Sequence, residues 1–363
     1  MSNMYFPLQS LENGRWFKLI CGASYQHLPA VRSLSLAYAL AGADCIDVAA
    51  EAAVVATAQE GLAVAKDLQE SAIAQGFSPQ ARPWLMVSLN DGEDPHFRKA
   101  QFDPYLCPSD CPRPCEAVCP ADAIDVSGVK RDRCYGCGRC LPVCPLQLIT
   151  TESHQLPPET VAEQLKPYPI DAIELHTQVG REQEFQKLWR ALQPIIPQLK
   201  ILAISCPDAP NLIDYLQTLY QIITPLPCPL IWQTDGRPMS GDLGAGTTRA
   251  SVKLAQKVLN ANLPGYVQLA GGTNQYTVEK LKEAQLLNSP LTPSQRTVAG
   301  IAYGSFARSQ LSSFLEMLEH SHPIQHLEED QQLLWEAVAQ ADSLVSQLKK
   351  RTPFPFPISA KSC

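Results

Sequence analysis

Short apolar runs and amphipathic stretches alternate along most of this chain of 363 residues. Each apolar run ends in a turn with Gly, Pro or Asp, and apolar residues at helical spacing follow. The eight runs are 16–21, 44–49, 84–89, 172–176, 201–205, 230–233, 266–270 and 298–303. The helical stretches are 28–41, 52–74, 158–166, 182–192, 211–222, 247–260, 277–287 and 308–318. Eight such units predict a (β/α)8 barrel of the TIM type, and an open doubly wound sheet is the alternative.

One of the eight units has an oversized loop between its strand and its helix. This loop follows the third run and spans residues 90–156, far longer than an ordinary connection in a compact domain. We therefore expect a domain inserted after strand 3, at the carboxyl end of the strands, where barrel active sites are built. The predicted domains are 1–90 and 157–320 for the barrel, 91–156 for the insert, and 321–363 for a C-terminal helix with a tail of Pro and Phe.

The predicted insert contains eight of the thirteen cysteines, in two runs that each end in Cys-Pro. The runs are Cys107-x3-Cys111-x3-Cys115-x3-Cys119-Pro120 and Cys134-x2-Cys137-x2-Cys140-x3-Cys144-Pro145. Three thiolates in one tight turn reach three corners of a cubane, and in two-cluster ferredoxins the fourth Cys of each run ligates the other cluster. The insert is therefore predicted to be a ferredoxin-like domain with two [4Fe–4S] clusters. The ligands are Cys107, Cys111, Cys115 and Cys144 for cluster 1, and Cys119, Cys134, Cys137 and Cys140 for cluster 2.

The two runs differ in how closely they follow the ferredoxin spacing. The second matches it, and its small residues Gly136 and Gly138 let backbone amides approach the cluster sulfurs. The first has three residues in both early gaps where ferredoxins have two, which leaves open whether cluster 1 is [4Fe–4S] or [3Fe–4S]. Paired zinc ribbons are the alternative, but they favour two CxxC pairs on a longer hairpin. A disulfide framework needs a secreted chain, and the N-terminus shows no signal peptide.

Composition and charge exclude two classes of partner. The net charge is −7 and the pI about 5.5, so there is no basic footprint for nucleic acid. No apolar segment approaches the length that spans a membrane, and a hydrophobic content of 45% is enough for a sizeable core. We expect a cytoplasmic protein that binds no nucleic acid and has no membrane span.

Strand alternation predicts which side chains reach the barrel lumen, because residues two apart point the same way. Polar residues then converge there from the carboxyl ends of several strands, as catalytic or binding sets do in such barrels. These candidates are Asp47, Asn90, Glu174, His176 and Gln268. A hydrogen-bonded polar layer that merely fills the lumen is the alternative.

The remaining thiols and histidines give weaker expectations. Cys206 precedes Pro207 at the end of run five, on the functional rim, and is the thiol to test for reactivity. The thiols expected to be small buried hydrophobes are Cys21, Cys45 and Cys228. The loop histidines expected to be solvated are His27, His96 and His154.

A Gly-rich turn follows the seventh run, at 271–274, and the eighth run ends in a second Gly-rich segment, at 300–305. Loops after strands 7 and 8 form the usual phosphate site of such barrels, where backbone amides and a helix N-terminus converge. The turns resemble those of flavin mononucleotide barrels of the dihydroorotate dehydrogenase type. The candidates for binding FMN or another phosphate-bearing ligand are Gly271, Gly272, Gly300 and Gly304. Turn chemistry alone is the alternative.

The cysteine runs, together with residues 17–24 (FKLICGAS) and 300–308 (GIAYGSFAR), resemble the cyanobacterial light-dependent period family of iron–sulfur proteins. The resemblance covers essentially the whole chain. It implies a regulatory protein in the light input of the circadian clock that senses cellular redox state as set by photosynthetic electron flow. It also implies clock-associated partners, including an input histidine kinase.

Several functions remain open from the sequence. The favoured one is a non-enzymatic redox sensor, and the alternative is an iron–sulfur oxidoreductase whose clusters feed a flavin or substrate at the barrel mouth. A radical S-adenosylmethionine enzyme ranks lower, because those enzymes need CxxxCxxC and the nearest pattern is Cys107-x3-Cys111-x3-Cys115. Clusters with a purely structural role would also account for the cysteines.

Overall fold

Eight parallel strands close into a barrel in the computed structural model of this chain. The structure describes residues 6–79, 82–153, 157–237, 246–288, 296–320 and 326–349. Closure is shown by pairing of the first barrel strand with the last, with Trp16 opposite Gly300. The (β/α)8 prediction is confirmed, and so is the insertion after the third strand, because four short strands between the third and fourth barrel strands form sheets of their own.

The bounds of the elements follow in chain order. The strands are β1 Trp16–Gly22, β2 Cys45–Ala49, β3 Trp84–Asn90, β4 Arg98–Gln101, β5 Ile124–Asp125, β6 Gly128–Val129, β7 Thr150–Ser153, β8 Ala172–His176, β9 Ile201–Pro207, β10 Leu230–Asp235, β11 Tyr266–Ala270 and β12 Gly300–Tyr303. The helices are α1 Phe6–Glu12, α2 Leu28–Leu40, α3 Ala52–Asp67, α4 Gln69–Ala74, α5 Pro114–Ala117, α6 Cys140–Val143, α7 Pro158–Leu165, α8 Glu182–Leu192, α9 Leu212–Ile223, α10 Thr248–Asn260, α11 Thr277–Glu283, α12 Ser305–Ser309, α13 Ser312–Glu319 and α14 Gln331–Lys349.

Three helical regions differ from the expectation. The stretch 52–74 is broken at Leu68 into α3 and α4, and 308–318 is divided between the short helices α12 and α13. The helix α1 was not expected, because seven residues are too few for a clear periodic signal. Its Leu11 is fully buried with the indoles of Trp16 and Trp84 at the lower end of the barrel. That end of the lumen is therefore closed by apolar side chains.

The main core lies between the strands and the surrounding helices. Ile46, Val48 and Leu175, which alternate along β2 and β8 with the lumen candidates Asp47 and Glu174, are fully buried there. Burial of each such side chain contributes about 1.5–3 kcal/mol. Because this layer supplies the hydrophobic stability, the upper lumen can hold polar groups.

The helix α14 packs against α2 and β1, with Leu334, Val338 and Leu348 buried. The Lys349 ammonium group pairs with Asp44 below β2 at 2.5 Å. The helix therefore docks on its own barrel, and the Pro and Phe tail lies outside the described residues.

The insert has a small core of its own, in which cysteines are the most frequent residue. Its strands β4 and β7 pair antiparallel with Arg98 opposite Ser153, and β5 and β6 form a short hairpin. Within the described ranges, no helix is both long enough and apolar enough to cross a membrane.

Candidate iron–sulfur centre and barrel mouth

Seven of the eight cysteines of the insert form two groups of interacting thiols. The Cys115 thiol interacts with Cys144 and Cys107, which bridges the two sequence runs. The Cys140 thiol interacts with Cys137, Cys134 and Cys119, and this group again takes one member from the other run. Each group thus contains cysteines of both sequence runs, as the cross-ligation of two-cluster ferredoxins does.

The arrangement of these thiols suits a cluster better than a single ion. Four sulfurs around one zinc ion would lie about 3.8 Å apart, given Zn–S bonds near 2.3 Å. In the described part of the chain, however, no three cysteine sulfurs lie within 4.8 Å of one another. A cubane spans the wider gap, and it supplies one-electron redox chemistry at widely tunable potentials.

Backbone amides of the insert donate to two of the sulfurs. Ala100 N donates to Cys134 Sγ and Ala123 N to Cys119 Sγ, both at 3.3 Å. Such bonds favour the thiolate form and tune a bound cluster. Gly136 permits the close packing beside Cys134, because its φ is +73° and a Cβ there would lie 2.1 Å from the Arg98 carbonyl oxygen. These features fit the residues of cluster 2 to an iron–sulfur centre.

The two cysteine groups differ in exposure. Of the predicted cluster 1 ligands, Cys115 is buried and the other three are half-buried, whereas two of the cluster 2 ligands, Cys134 and Cys140, are buried and the other two are half-buried. Burial and the neighbouring thiols raise the pKa of Cys140 to about 12. Burial works against a low pKa at Cys144 as well, but backbone hydrogen bonds from 146–149 outweigh it and lower the pKa of that thiol. Cys137 of the cluster 2 group packs against the main core of the barrel.

A buried polar network fills the upper lumen of the barrel. The fully buried Lys18 ammonium of β1 lies 3.1 Å from Asp47 Oδ2 and also bonds Glu174 of β8. Gln233 Nε2 donates to Glu174 Oε1 at 2.6 Å, and Gln268 Nε2 donates to Gln233 Oε1 at 2.5 Å. Asp47, Glu174 and Gln268 therefore lie on the lumen side, where strand alternation placed them.

Charge pairing shifts the pKa values in this network. Burial alone would lower the pKa of Lys18, but the Asp47 and Glu174 carboxylates outweigh it and raise that pKa. Burial raises the pKa of Asp47, and the Lys18 ammonium opposes this rise. The pKa of Glu174 is lowered despite its burial, because Lys18 and His176 stabilise the carboxylate. Lys18 and Glu174 are thus held as a charged pair.

Above this layer, two histidines and two aspartates form a chain across the barrel mouth. His96 Nδ1 lies 2.7 Å from Asp94 Oδ1, and His96 Nε2 lies 2.9 Å from Asp235 Oδ2. The rings of His96 and His176 stand 4.8 Å apart, and His176 Nε2 lies 2.9 Å from Glu174 Oε1. Burial disfavours a charged His96, yet Asp235 and Asp94 raise its pKa well above the usual value.

A cavity opens between this chain and the Gly-rich turns. Gly271 and Gly272 line one side and Gly304 another, with the side chains of Arg237 and Arg308 close by. Gly271 and Gly272 have φ values of +64° and +88°, which glycine adopts without strain. Backbone and guanidinium donors beside one cavity are suited to an anionic ligand.

The loop of cluster 2 forms a wall of the same cavity through Tyr135, which lies between Cys134 and Gly136. The Arg308 guanidinium lies 4.1 Å from the centre of the Tyr135 ring. Arg308 also donates to the Ile20 carbonyl oxygen at 2.9 Å. One arginine therefore connects the insert, the first barrel strand and the turn after the last strand.

Several candidates lie away from the cavity. Cys206 is only 3% exposed and packs among the helix-facing residues, because its neighbour Ser205 is the one that points into the lumen. Burial raises the pKa of the Cys206 thiol, so it is a poor nucleophile. Asn90 bonds the Gly92 carbonyl oxygen at 2.7 Å. Gly300 begins β12 beside Trp16 in the lower lumen, where a Cβ would meet the Trp16 carbonyl oxygen at 2.4 Å.

The expectation of solvated loop histidines is wrong at two positions. His27 is 9% exposed and lies 3.6 Å from Glu319, and His96 is held between two carboxylates. His154 lies outside the described residues. Sequence reasoning also missed Lys18, Asp94, Asp235, Tyr135 and Arg308. The sequence did contain a signal that could have identified Lys18, because it is a single charged residue within an apolar strand run.

The comparisons with known proteins agree with these features. A family profile described as the LdpA Fe-S cluster-binding domain matches residues 107–155, and one described as the Light dependent period A C-terminal domain matches 164–347. The protein named Light dependent period A from Synechococcus elongatus is 55% identical over 345 residues, which cover 95% of this chain and 94% of that protein.

Solved structures of low sequence identity were also found. A tryptophan synthase structure from Mycobacterium tuberculosis is 12% identical with a TM-score of 0.43, and covers 95% of this chain and 97% of its own. (S)-3-O-geranylgeranylglyceryl phosphate synthase from Thermoplasma acidophilum is 12% identical with a TM-score of 0.39, and covers 97% of this chain and 100% of its own.

The topology and the cysteine insert define a class of protein, a (β/α)8 barrel interrupted by an iron–sulfur-binding domain. Within that class, the identity over nearly the whole length and the two family profiles decide the family. The chain belongs to the Light dependent period A family.

Proposed function

We propose that this protein is an iron–sulfur redox-sensing regulator that adjusts circadian period in response to light and cellular redox state. The observation that carries the proposal is that the interacting cysteines form two groups, each of which joins both sequence runs. Cys107, Cys111, Cys115 and Cys144 would hold one [4Fe–4S] cluster, and Cys119, Cys134, Cys137 and Cys140 the other. The light and clock assignment rests on the family and on the name of the Synechococcus relative.

The positions of the two groups support a sensing role. Three of the four cluster 1 ligands are half-buried, which leaves them open to an electron donor or oxidant, and the cluster 2 group is connected to the barrel through Tyr135 and Arg308. A change in charge at cluster 2 therefore acts on a contact between domains. The proteins that respond to this change would be clock-associated proteins in the cytoplasm, including an input histidine kinase.

The cofactors are tested first by anaerobic purification. Two [4Fe–4S] clusters predict about eight iron and eight sulfide per chain, with electron paramagnetic resonance signals from two centres after reduction. A count near four, or zinc in place of iron, would contradict the two-cluster assignment.

The sensing role is tested by binding to the input histidine kinase with the holo-protein oxidised, reduced and cluster-depleted. We expect the affinity to differ between these states by tenfold or more. Cys137→Ala, which removes a ligand of cluster 2, should give the affinity of the cluster-depleted form. The matched control is Cys228→Ala, because Cys228 is a half-buried thiol outside the insert. Equal affinity in all three states would overturn the proposal.

A second candidate function is an oxidoreductase in which the clusters feed a flavin or another phosphate-bearing ligand at the barrel mouth. It is favoured by Gly271, Gly272 and Gly304, which line the cavity beside Arg237 and Arg308. Gly300 is no longer part of this proposed site, because it lies in the lower lumen.

This candidate predicts a flavin absorption band after extraction of the anaerobic preparation, or a rise in melting temperature with FMN or inorganic phosphate. Arg308→Gln should abolish the rise, whereas Arg296→Gln should preserve it, because Arg296 lies at the far end of β11 and donates to the Leu263 and Gly265 carbonyl oxygens there. An extract without flavin, together with an unchanged melting temperature, excludes the candidate.

A further inference from the structure

Three potential metal ligands meet at the barrel mouth outside the cysteine groups. They are Asp94 and His96, from the first turn of the insert, and His176, at the end of β8. One ligand atom from each lies within 4.8 Å of the other two, and no other trio of His, Cys, Asp or Glu in the described ranges does so. Two imidazoles with one carboxylate form a ligand set typical of non-haem iron and of catalytic zinc.

A carboxylate oxygen lies beside the Nε2 atom of each imidazole. His96 Nε2 lies 2.9 Å from Asp235 Oδ2, and His176 Nε2 lies 2.9 Å from Glu174 Oε1. Both Nδ1 atoms face the same oxygen, Asp94 Oδ1, at 2.7 Å and 3.9 Å. Metal-binding histidines almost always have such an outer carboxylate or carbonyl, which fixes the ring and makes the free nitrogen a better ligand.

A hydrogen-bond network alone leaves part of this arrangement unexplained. It accounts for the 2.7 Å contact of His96, but 3.9 Å between His176 Nδ1 and Asp94 Oδ1 is too long for a hydrogen bond. Two ligands of one ion at bonds of 2.0–2.1 Å lie about 3.0–3.4 Å apart. The two contacts, at 2.7 Å and 3.9 Å, lie on either side of that spacing.

Charge and access also suit a cation. Asp94 and Asp235 are buried carboxylates, and Asp235 Oδ1 has no hydrogen-bond donor among the described residues. A bound dication would take the place of the Nδ1 proton of His96 and offset this negative charge. His96 and His176 both line the cavity, which leaves a coordination position open to a small molecule.

We propose that Asp94, His96 and His176 form a mononuclear site for a divalent transition-metal ion such as Zn²⁺ or Fe²⁺, with an open position facing the barrel cavity. Asp235 and Glu174 are the positioning residues of the site. It is separate from the cysteine-bound clusters and does not depend on the light or clock role.

The test uses anaerobic holo-protein stripped of loosely bound metal, with cluster absorbance followed throughout. Equilibrium dialysis at buffered free Zn²⁺ should show one equivalent bound. Zinc-edge X-ray absorption should show only nitrogen and oxygen neighbours, at about 2.0–2.1 Å. A sulfur shell near 2.3 Å would place the zinc on cysteines, and either that result or no binding would overturn the proposal. The dialysis and the X-ray absorption measurements both use the unmodified protein, so their results remain valid even if a variant fails to fold.

Variants then assign the ligands. His176→Gln and His96→Gln should each lose binding, and Asp235→Asn should weaken it by about 10–100-fold, as outer carboxylates do. The matched control is His320→Gln, because His320 is exposed directly after α13, where its Nδ1 lies 2.7 Å from the Glu316 carbonyl oxygen. Undiminished zinc affinity in both ligand variants, with clusters intact, would refute the assignment.

Discussion

At the scale of single residues, Lys18 is the best-defined stabilising charge in the structure. It is fully buried in the lumen, and its ammonium lies between Asp47 and Glu174. Breaking a buried ion pair costs more than the pair contributes, because one charge then remains without a partner in a medium of low dielectric constant. Removal of Lys18 should therefore affect folding far more than removal of a surface charge.

We expect Lys18→Met to lower the free energy of unfolding by about 3–5 kcal/mol, since it leaves two buried carboxylates without their cation. Urea unfolding followed by circular dichroism measures the change. The double variant Lys18→Met with Glu174→Gln should recover part of the loss, because it removes one of the stranded charges. A double variant no more stable than the single one would count against the pairing.

Asp91, at the start of the insert, gives a pH-dependent prediction. Burial raises its pKa to about 6, against the opposing hydrogen bonds from Thr177 and Arg181. The folded state therefore holds a proton that the unfolded state releases near pH 4, so this contribution to stability is present at low pH and is lost as the pH rises to about 6.

The comparison is between wild type and Asp91→Asn, whose amide cannot ionise but still accepts a hydrogen bond. The stability of the wild type relative to the variant should fall between pH 4 and 6 by at most about 3 kcal/mol. A difference that is flat or rises over this range would show that Asp91 ionises normally in the folded protein.

At the scale of elements, the loop from Cys134 to Cys140 depends on two glycines for different reasons. Gly136 and Gly138 have φ values of +73° and +76°. A Cβ at Gly136 would strike the Arg98 carbonyl oxygen at 2.1 Å, whereas at Gly138 the nearest atom is Leu141 Cδ1 at 3.8 Å. A substitution at Gly136 therefore tests the effect of a steric contact, and a substitution at Gly138 tests the effect of backbone strain alone.

Gly136→Ala should therefore displace the loop from β4 and lose cluster 2, lowering the iron content from about eight to about four per chain. Gly138→Ala serves as the matched control, because it carries only the left-handed backbone cost of about 1–2 kcal/mol and should keep both clusters. Iron counting and electron paramagnetic resonance distinguish the two. Equal iron in both variants would remove the steric argument.

The crossing of the cysteine groups gives a second prediction for the insert. Cys144→Ala should disturb the centre formed by Cys107, Cys111 and Cys115, and Cys119→Ala should disturb the centre formed by Cys134, Cys137 and Cys140. Each variant changes the cluster of the opposite sequence run. Electron paramagnetic resonance spectra of the reduced variants report which centre is altered. If each substitution instead removed the signal of the cluster held by its own sequence run, the cross-ligation would be excluded.

At the scale of the whole molecule, the barrel and the insert have unequal means of staying folded. The barrel has an extensive apolar core on both sides of its lower strands. The insert buries only a few apolar residues, three of them cysteines. Small domains of this kind need a metal or another crosslink, because they bury too little surface to offset chain entropy.

Removal of iron by a chelator under denaturant-free conditions should therefore unfold the insert and leave the barrel folded. Limited proteolysis should then cut within 91–156, while the flanking barrel segments stay associated as one particle on size exclusion. The iron-loaded protein, treated in parallel, should resist cleavage there. Protection that is equal with and without iron would indicate that the insert folds without clusters.

The barrel, the position of the insert and the cysteine pattern are all predictable from the order of the residues alone. Hydrophobic periodicity, of 2 residues in strands and 3.6 in helices, is a local property of the chain, and so is the spacing of cysteines. Both can therefore be recognised in the sequence alone. Alternation also assigned Asp47, Glu174 and Gln268 to the lumen, because the pleat of a strand fixes the facing of its side chains.

Only the tertiary structure decided which of these polar groups meet. Lys18 and Glu174 are 156 positions apart, and His96 reaches Asp235 only because the insert folds back over the barrel mouth. Gly300 and Gly304 lie in one Gly-rich segment, yet one packs on Trp16 in the lower lumen and the other lines the cavity. Such contacts depend on barrel closure and on how the insert docks, and no local pattern in the chain encodes either.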